Sequence, residues 1–303
     1  MKITVVHQGA LGDTLLLASL LVSLQMRWPK AQRTLVTRCS FGRLMVKLGL
    51  AESAFDADDA RHSAWFGPYQ ASADVSGVHT SLPWVDSDLL LSAVSSGTDA
   101  WAAHARQVCK RSHILFYSPR PGPDYPHHVT TFHREQLAPL QLPPPVLADC
   151  VRCRHGPLLI QPGSGGWEKC WPLENFIQVA HALNESGIRV EFLMGEVELE
   201  RFSRHDIARL DREFAVHRNI PLMHVVDLVK ASRTYLGNDS GITHLAAWAG
   251  VRVVAIFGPS SAVQWRPVGP QVQIYQPEGD FVAQYGAEKD CQQVFKLVLE
   301  QCG

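Results

Sequence analysis

Residues 234–257, TYLGNDSGITHLAAWAGVRVVAIF, limit the fold more than any other stretch of the chain. Thr234 to Gly237 reads as a strand that runs into turn and cap residues; ITHLAAW has the content of a covered helix, Gly250 stops it, and VRVVAIF is a strand again. A strand, a helix and a strand joined by connections this short place the two strands parallel in one sheet. Parallel sheets are covered by helices on both faces, so the expected fold class is α/β.

The same alternation recurs. Ile3–His7 is apolar and β-branched, Leu15 to Trp28 is apolar nearly all round, and Thr34–Thr37 reads as the next strand, which makes a β-α-β opening. Later come a strand at Leu158–Gln161, a Gly163–Gly166 loop, and a helix with Pro172 at its first position and Leu173, Phe176, Ile177, Ala180 and Leu183 at helical spacing. Gly187 ends it, Val190–Met194 follows as a strand closed by Gly195, and a last helix sets Val294, Leu297 and Val298 on one face. Between Phe55 and Pro126, where His, Trp, Pro and Gly are scattered, only a strand near His113–Tyr117 is legible. Pro143, Pro144 and Pro145 can continue neither a helix nor a central strand, which puts a domain boundary within 142–156 and two Rossmann-like domains at 1–150 and 151–303.

The first turn, Gly9-Ala10-Leu11-Gly12-Asp13, poses a problem of charge. A glycine turn that opens a helix attracts anions, yet Asp13 would repel a pyrophosphate docked there. The second half offers better anion sites at three strand ends. In QPGSGGWEKCWP, small residues Gly163, Ser164, Gly165 and Gly166 let backbone N–H groups approach a phosphate, and Lys169 adds a point charge; the alternative is an ordinary glycine loop with a solvated lysine. In GNDSGITHLAAWAG, Asp239 or Ser240 caps a helix whose first N–H groups, at Ser240 and Gly241, face outward, and His244 leans back toward that end or is simply a packed core residue. After Gly195, Glu196 or Glu198 either bonds ribose hydroxyls or enriches a helix start in acid.

Charge argues against a nucleic-acid partner, since 28 Lys and Arg stand against 29 Asp and Glu. One segment departs from that balance: Arg27, Lys30, Arg33, Arg38, Arg43 and Lys47 occur between Thr14 and Ala51 with no acid among them. This is a solvated face or a surface for an anionic acceptor or membrane. The seven cysteines are odd in number and scattered, as expected of reduced thiols; Cys150 and Cys153 form a C-x-x-C without a second pair at zinc spacing, so no metal or cofactor site is assigned. The apolar run Leu15–Leu24 is far shorter than the roughly 20 residues that span a bilayer, and a cytoplasmic protein is expected.

HQGALGDTLL, EKCWP and GNDSGITHLAAWAGVRVVAIFGP together resemble glycosyltransferase family 9, which includes the bacterial ADP-heptose:lipopolysaccharide heptosyltransferases of the GT-B fold. The likeness covers the first 40 residues and most of 157–303; the D-S-G-x-x-H-L-A helix start paired with a G-x-L-G-D turn is its specific part. Against that family the N-terminal half is short, with no run of strands legible between 55 and 110, where acceptor contacts are expected. The resemblance implies two Rossmann-like domains facing a cleft, with the nucleotide-sugar donor, an ADP-sugar for preference, on the second. It implies Asp13 as general base, Lys169, Ser240 and Gly241 at the donor diphosphate beside Ser164 and Gly165, Asp239 at the sugar, His244 by the leaving group, and Glu198 or Glu196 at the ribose.

The reaction implied is metal-independent transfer of a heptose-like sugar, with inversion, to a hydroxyl of an anionic cell-envelope glycolipid or glycan, with peripheral contact at the cytoplasmic face of the inner membrane. It also answers the problem of Asp13: with phosphates held by the second domain, a carboxylate at the first helix start is free to act as a base. Two alternatives are a non-catalytic nucleotide-sugar-binding protein and a sugar-nucleotide epimerase of the same architecture. A dinucleotide-dependent oxidoreductase fits poorly, because the first turn is not G-x-G-x-x-G and Arg38 follows the second strand where an acid would bind ribose.

Overall fold

A computed structural model describes residues 1–67, 82–147, 149, 155–278 and 288–302. The chain divides into two compact units, Met1–Val146 and Leu147–Gly303. Cys150 and Cys153 lie outside the described residues.

The first unit is built on five strands, β1 (Lys2–Val6), β2 (Gln32–Thr37), β3 (Ser53–Asp56), β4 (Leu89–Ser92) and β5 (His113–Phe116). They lie in the order β3-β2-β1-β4-β5, every neighbouring pair parallel. Helices α1 (Leu11–Arg27), α2 (Cys39–Lys47), α3 (Ala60–Ser63) and α4 (Ala100–Val108) lie between successive strands, and α5 (Val129–Gln136) follows β5. Central β1 is covered on both faces: Ile3, Thr4, Val5 and Val6 are all buried, so no polar–apolar alternation is needed. Helix α1 is covered nearly all round, with Ser19 and Ser23 buried as well as Leu15, Leu16, Leu17, Leu20, Leu21 and Leu24. It packs against α5.

The segment with no legible period holds an aromatic core. Trp65, Trp84 and Trp101 are buried together with Val6, Val36 and Leu90, and His62 is clamped among them. Trp101 Nε1–H donates to His62 Nε2 at 3.1 Å, while His62 Nδ1 lies 2.9 Å from the Ala57 carbonyl, which can only accept. The ring is therefore a neutral Nδ1–H tautomer. Residues that look scattered along the chain are core because 3₁₀ turns and short helices, rather than periodic elements, present them.

The second unit has six strands, β6 (Leu158–Gln161), β7 (Val190–Met194), β8 (Ala215–Arg218), β9 (Thr234–Asn238), β10 (Arg252–Ile256) and β11 (Val272–Tyr275). Their order is β11-β10-β9-β6-β7-β8, again parallel throughout. The helices are α6 (Leu173–Glu185), α7 (Glu196–Arg201), α8 (Arg204–Glu213), α9 (Leu222–Ala231), α10 (Gly241–Trp248), α11 (Ala262–Trp265) and α12 (Glu288–Cys302). Val294 and Val298 of α12 are buried in one cluster with Phe176, Ile177, Ala180 and Leu183 of α6 and with Leu158, Ile160 and Phe192 of the sheet. Each such Leu, Ile or Phe side chain contributes about 1.5–3 kcal/mol by leaving water.

In both sheets the chain winds outward on one side, then crosses to the other. The reversal falls between β1 and β4 in the first unit and between β6 and β9 in the second, and ligands of open parallel sheets gather beyond the carboxyl ends of strands at such a point. Among the described residues no helix is long and apolar enough to cross a membrane.

Candidate active site

At the β6/β9 reversal the loops that leave the two strands are tied together. Asn238, the last residue of β9, donates from Nδ2 to the Pro162 carbonyl at 2.7 Å and accepts the Trp171 N–H at 3.0 Å. Ser164 Oγ donates to the Asp239 carbonyl at 2.6 Å. These bonds hold the Gly163–Gly166 loop against the turn that starts α10. Gly163 is required by close approach: a Cβ there would stand 2.0 Å from Glu198 Oε1.

An ammonium, a carboxylate and an imidazole converge on the turn. Lys169 Nζ donates to Asp239 Oδ2 at 2.8 Å, and His244 Nε2 lies 3.7 Å from Asp239 Oδ1. Burial opposes ionisation of Asp239, but the His244 ring and the Lys169 ammonium overcome it and hold the carboxyl at about 2. Asp239 and His244 are buried, whereas Lys169 keeps 35% of its side chain exposed. Ser240 is the cap of α10, accepting the Thr243 N–H at 3.3 Å. The same hydroxyl donates to Gln161 Oε1 at 2.8 Å, and Tyr235 OH donates to that oxygen at 3.1 Å. Gln161 in turn donates through Nε2 to Glu198 Oε1.

Glu198 is buried, and its other oxygen accepts the Gly195 N–H at 2.9 Å, so the carboxylate starts α7 from below the glycine loop; Glu196 is exposed. Ser164, Lys169, Asp239, Ser240 and His244 are thus brought together, with Gly165 and Gly241 on the same loop and helix start, and Glu198 joins them through Gln161. Gln161, Asn238 and Tyr235 were not legible as site residues: each acts across strands, so no local motif marks it.

Asp13 belongs to the first unit, at the carboxyl end of β1. Its Oδ2 accepts the Ala10 N–H at 3.1 Å and a bond from the Arg120 guanidinium at 2.7 Å. Gly9 makes this turn possible, since a Cβ would lie 2.7 Å from both Asp13 Cβ and His7 Nε2. His7 is buried with neither ring nitrogen hydrogen-bonded among the described residues. Burial pushes its imidazole down to about 4, against the pull of Asp13 and aided by His133 and Arg120. His133 donates from Nε2 to the Pro119 carbonyl at 2.9 Å, and its Nδ1 and the Tyr117 hydroxyl are buried with no hydrogen-bond partner among the described residues. A carboxylate therefore sits beside one cation and two buried imidazoles, drawn from the turn after β1, from the segment after β5 and from α5, with the Tyr117 ring packed on His133. His7 shares the HQGALGD turn with Asp13, but nothing local in the sequence connects Tyr117, Arg120 and His133 with it.

Among the described residues no group of three or more His, Cys, Asp or Glu is arranged to hold a metal ion. Of the cations in the acid-free stretch, Arg33 is buried and paired with Glu52 at 2.5 Å, while Arg27, Lys30, Arg38, Arg43 and Lys47 are exposed.

Comparison with solved structures finds the same fold in E. coli heptosyltransferase WaaC with ADP, at TM-score 0.72 and 18% identity over 99% of this chain and 100% of that one. E. coli ADP-heptose LPS heptosyltransferase II matches at TM-score 0.72 and 18% identity over 100% of this chain and 98% of its own. The family 9 glycosyl transferase from Veillonella parvula matches at 0.72 and 17%, over 99% and 97%. These are GT-B glycosyltransferases, and the two parallel-sheet units give this chain the GT-B fold. No curated protein matches the chain by sequence. The model of glycosyltransferase family 9 (heptosyltransferase) matches residues 105–291, more than half of the protein, and the chain belongs to that family of glycosyltransferases.

Proposed function

We propose that the protein transfers a heptose-like sugar from a nucleoside-diphosphate sugar, with an ADP-sugar as the favoured donor, to a hydroxyl of an anionic cell-envelope glycolipid or glycan. The observation that carries this is the end of the second unit's sheet, where Lys169, Asp239 and His244 meet a glycine loop and the capped start of α10. Two sets of backbone N–H groups and one accessible ammonium suit a diphosphate. The WaaC structures, one with ADP and one with ADP-2-deoxy-2-fluoro heptose, support the choice of nucleotide.

In the reaction the acceptor oxygen attacks the anomeric carbon as the bond to the diphosphate oxygen breaks, which inverts that carbon. Asp13 takes the hydroxyl proton. The departing diphosphate keeps the bonding electron pair, and its charge is met by Lys169 and by the N–H groups at Gly165 and Gly241. Asp239 orients the sugar and holds Lys169, His244 stands by the leaving group, and Glu196 or Glu198 is the acid at the ribose, the first exposed and the second buried with both oxygens engaged. These groups supply the charge stabilisation that a metal ion would give, so the scheme runs without one. The exposed cations from Arg27 to Lys47 suit an anionic acceptor or the anionic inner leaflet, which supports a position at the cytoplasmic face of the membrane.

The test has two parts. At about a hundredfold over its dissociation constant, ADP should stabilise the protein by about 2.7 kcal/mol. ADP-heptose with a cell-envelope glycolipid extract should then release ADP and give a glycoside of inverted anomeric configuration by NMR. Binding without release would leave a nucleotide-sugar-binding protein, and an epimerised sugar as product would replace the transferase.

A further inference from the structure

The Gly163–Gly166 loop is held on one side by the Ser164 hydroxyl bond to Asp239. On its other side stands Arg201, the last residue of α7, which no local motif connects to the loop. Its two terminal nitrogens donate to two successive carbonyls, Nη1 to Ser164 O and Nη2 to Gly165 O, each at 3.0 Å. The next carbonyl, of Gly166, is taken by the Lys169 N–H at 3.2 Å. All peptide bonds of the described residues are trans. In a trans peptide unit the C=O of one residue and the N–H of the next point in opposite directions. With the carbonyls of Ser164 and Gly165 turned to Arg201, the N–H groups of Gly165 and Gly166 are turned to the far side of the loop, and neither has a partner among the described residues. Around Gly165 there is open space, with nothing within 4 Å of a built Cβ.

We propose that Arg201 is a positioning residue for the donor diphosphate: its fork fixes the two peptide units of the glycine loop so that the N–H groups of Gly165 and Gly166 form a paired anion site. This rests on the assignment of that loop to a nucleoside diphosphate. Arg201 acts through the backbone and not by touching the phosphate. The planar guanidinium spans two adjacent carbonyls at a fixed separation, whereas a lysine ammonium is a single point of donation. A cation on the carbonyl side also polarises each peptide unit, which strengthens its N–H as a donor.

The experiment compares ADP binding by calorimetry in the wild type, Arg201→Lys, Arg201→Gln and Lys169→Ala, and follows the Gly165 and Gly166 amide signals by ¹⁵N NMR. Arg201→Lys keeps the charge and loses the fork, so the ADP dissociation constant should rise at least about tenfold, as for one lost charge-assisted hydrogen bond. Arg201→Gln should be no better. Because Arg201 is exposed at a helix end, both variants should melt near the wild type without nucleotide. In the wild type both glycine amides should shift on adding ADP; in Arg201→Lys they should not. Arg201→Lys binding within twofold of wild type, while Lys169→Ala is weakened, would overturn the positioning role and leave the donor site standing. Absence of binding by the wild type to ADP, UDP and GDP would remove the donor site and this inference together. Should the Arg201 variants prove unfolded, wild-type glycine amides unmoved by bound ADP would still overturn it.

Discussion

In the reaction proposed above, Asp13 has two tasks that one substitution can separate. As the third residue of α1 it accepts the Ala10 N–H, a capping role, and as a carboxylate beside Arg120 it can take a proton. Asp13→Asn preserves the size of the side chain and the capping acceptor but removes the base. General-base catalysis contributes about 10²–10⁴-fold, so transfer should fall by at least the lower figure at saturating donor and acceptor, while the thermal shift with ADP stays that of the wild type. A purely structural Asp13 predicts near-normal transfer. As candidates, Asp13, Lys169, Asp239, Ser240 and His244 were legible because each sits in a local motif of glycines, caps and charge. Their partners were not. Arg120 is 107 residues from Asp13, and Arg201 is 37 from Ser164, separations at which only the fold decides who meets whom.

The start of α10 shows how an element holds its site. Ser240 Oγ accepts the Thr243 N–H, lies 3.0 Å from Thr243 Oγ1 and donates to Gln161, so one hydroxyl caps the helix and joins β6 to β9. Ser240→Ala should cost about 1 kcal/mol for the cap. Gln161 Oε1 keeps the Tyr235 hydroxyl and is not left bare, so the loss should stay below about 2 kcal/mol. For a unit of the size of Leu147–Gly303 that is a fall of roughly 2–8 °C in melting temperature. An unchanged melting temperature would show that the cap contributes nothing to the unit. Element by element, β1, β2, β5, β6, β7, β9 and β10 are legible as short apolar or β-branched runs. The strands β3, β4, β8 and β11 are four residues each, too short to show a period, whereas β6, no longer than they are, runs straight into a glycine loop. Leu89–Leu91 in β4 is an apolar run that would serve equally inside a buried helix, and only its pairing with β1 settles it.

Across the molecule, buried histidines are concentrated in the first unit and set its response to acid. His7, His62 and His133 are all held below 6.5 by burial, His7 down to about 4. Where a folded histidine titrates lower than the unfolded one, the unfolded chain binds more protons between the two values, and stability rises with pH across that window. The contribution is therefore complete above 6.5 and declines as pH falls, reaching its limit for His7 near 4. A shift of that size corresponds to about 3 kcal/mol from His7 alone. In the second unit Asp239 is held at about 2, so its contribution is retained until the pH drops below the ordinary carboxylate value of 3.8. Between pH 6.5 and 4 these groups predict loosening of the first unit ahead of the second. Hydrogen exchange read by mass spectrometry at pH 7.5 and 4.5, corrected for the intrinsic rate, should show protection lost first from β1 and α5. His7→Leu removes one titrating group without removing the apolar volume, so the fall in unfolding midpoint from pH 7.5 to 4.5 should be smaller than in the wild type. An equal fall in the variant, or earlier loss of protection from β6 and β9, would mean that buried histidines do not govern acid stability and that the neutral groups around Asp13 tolerate charge.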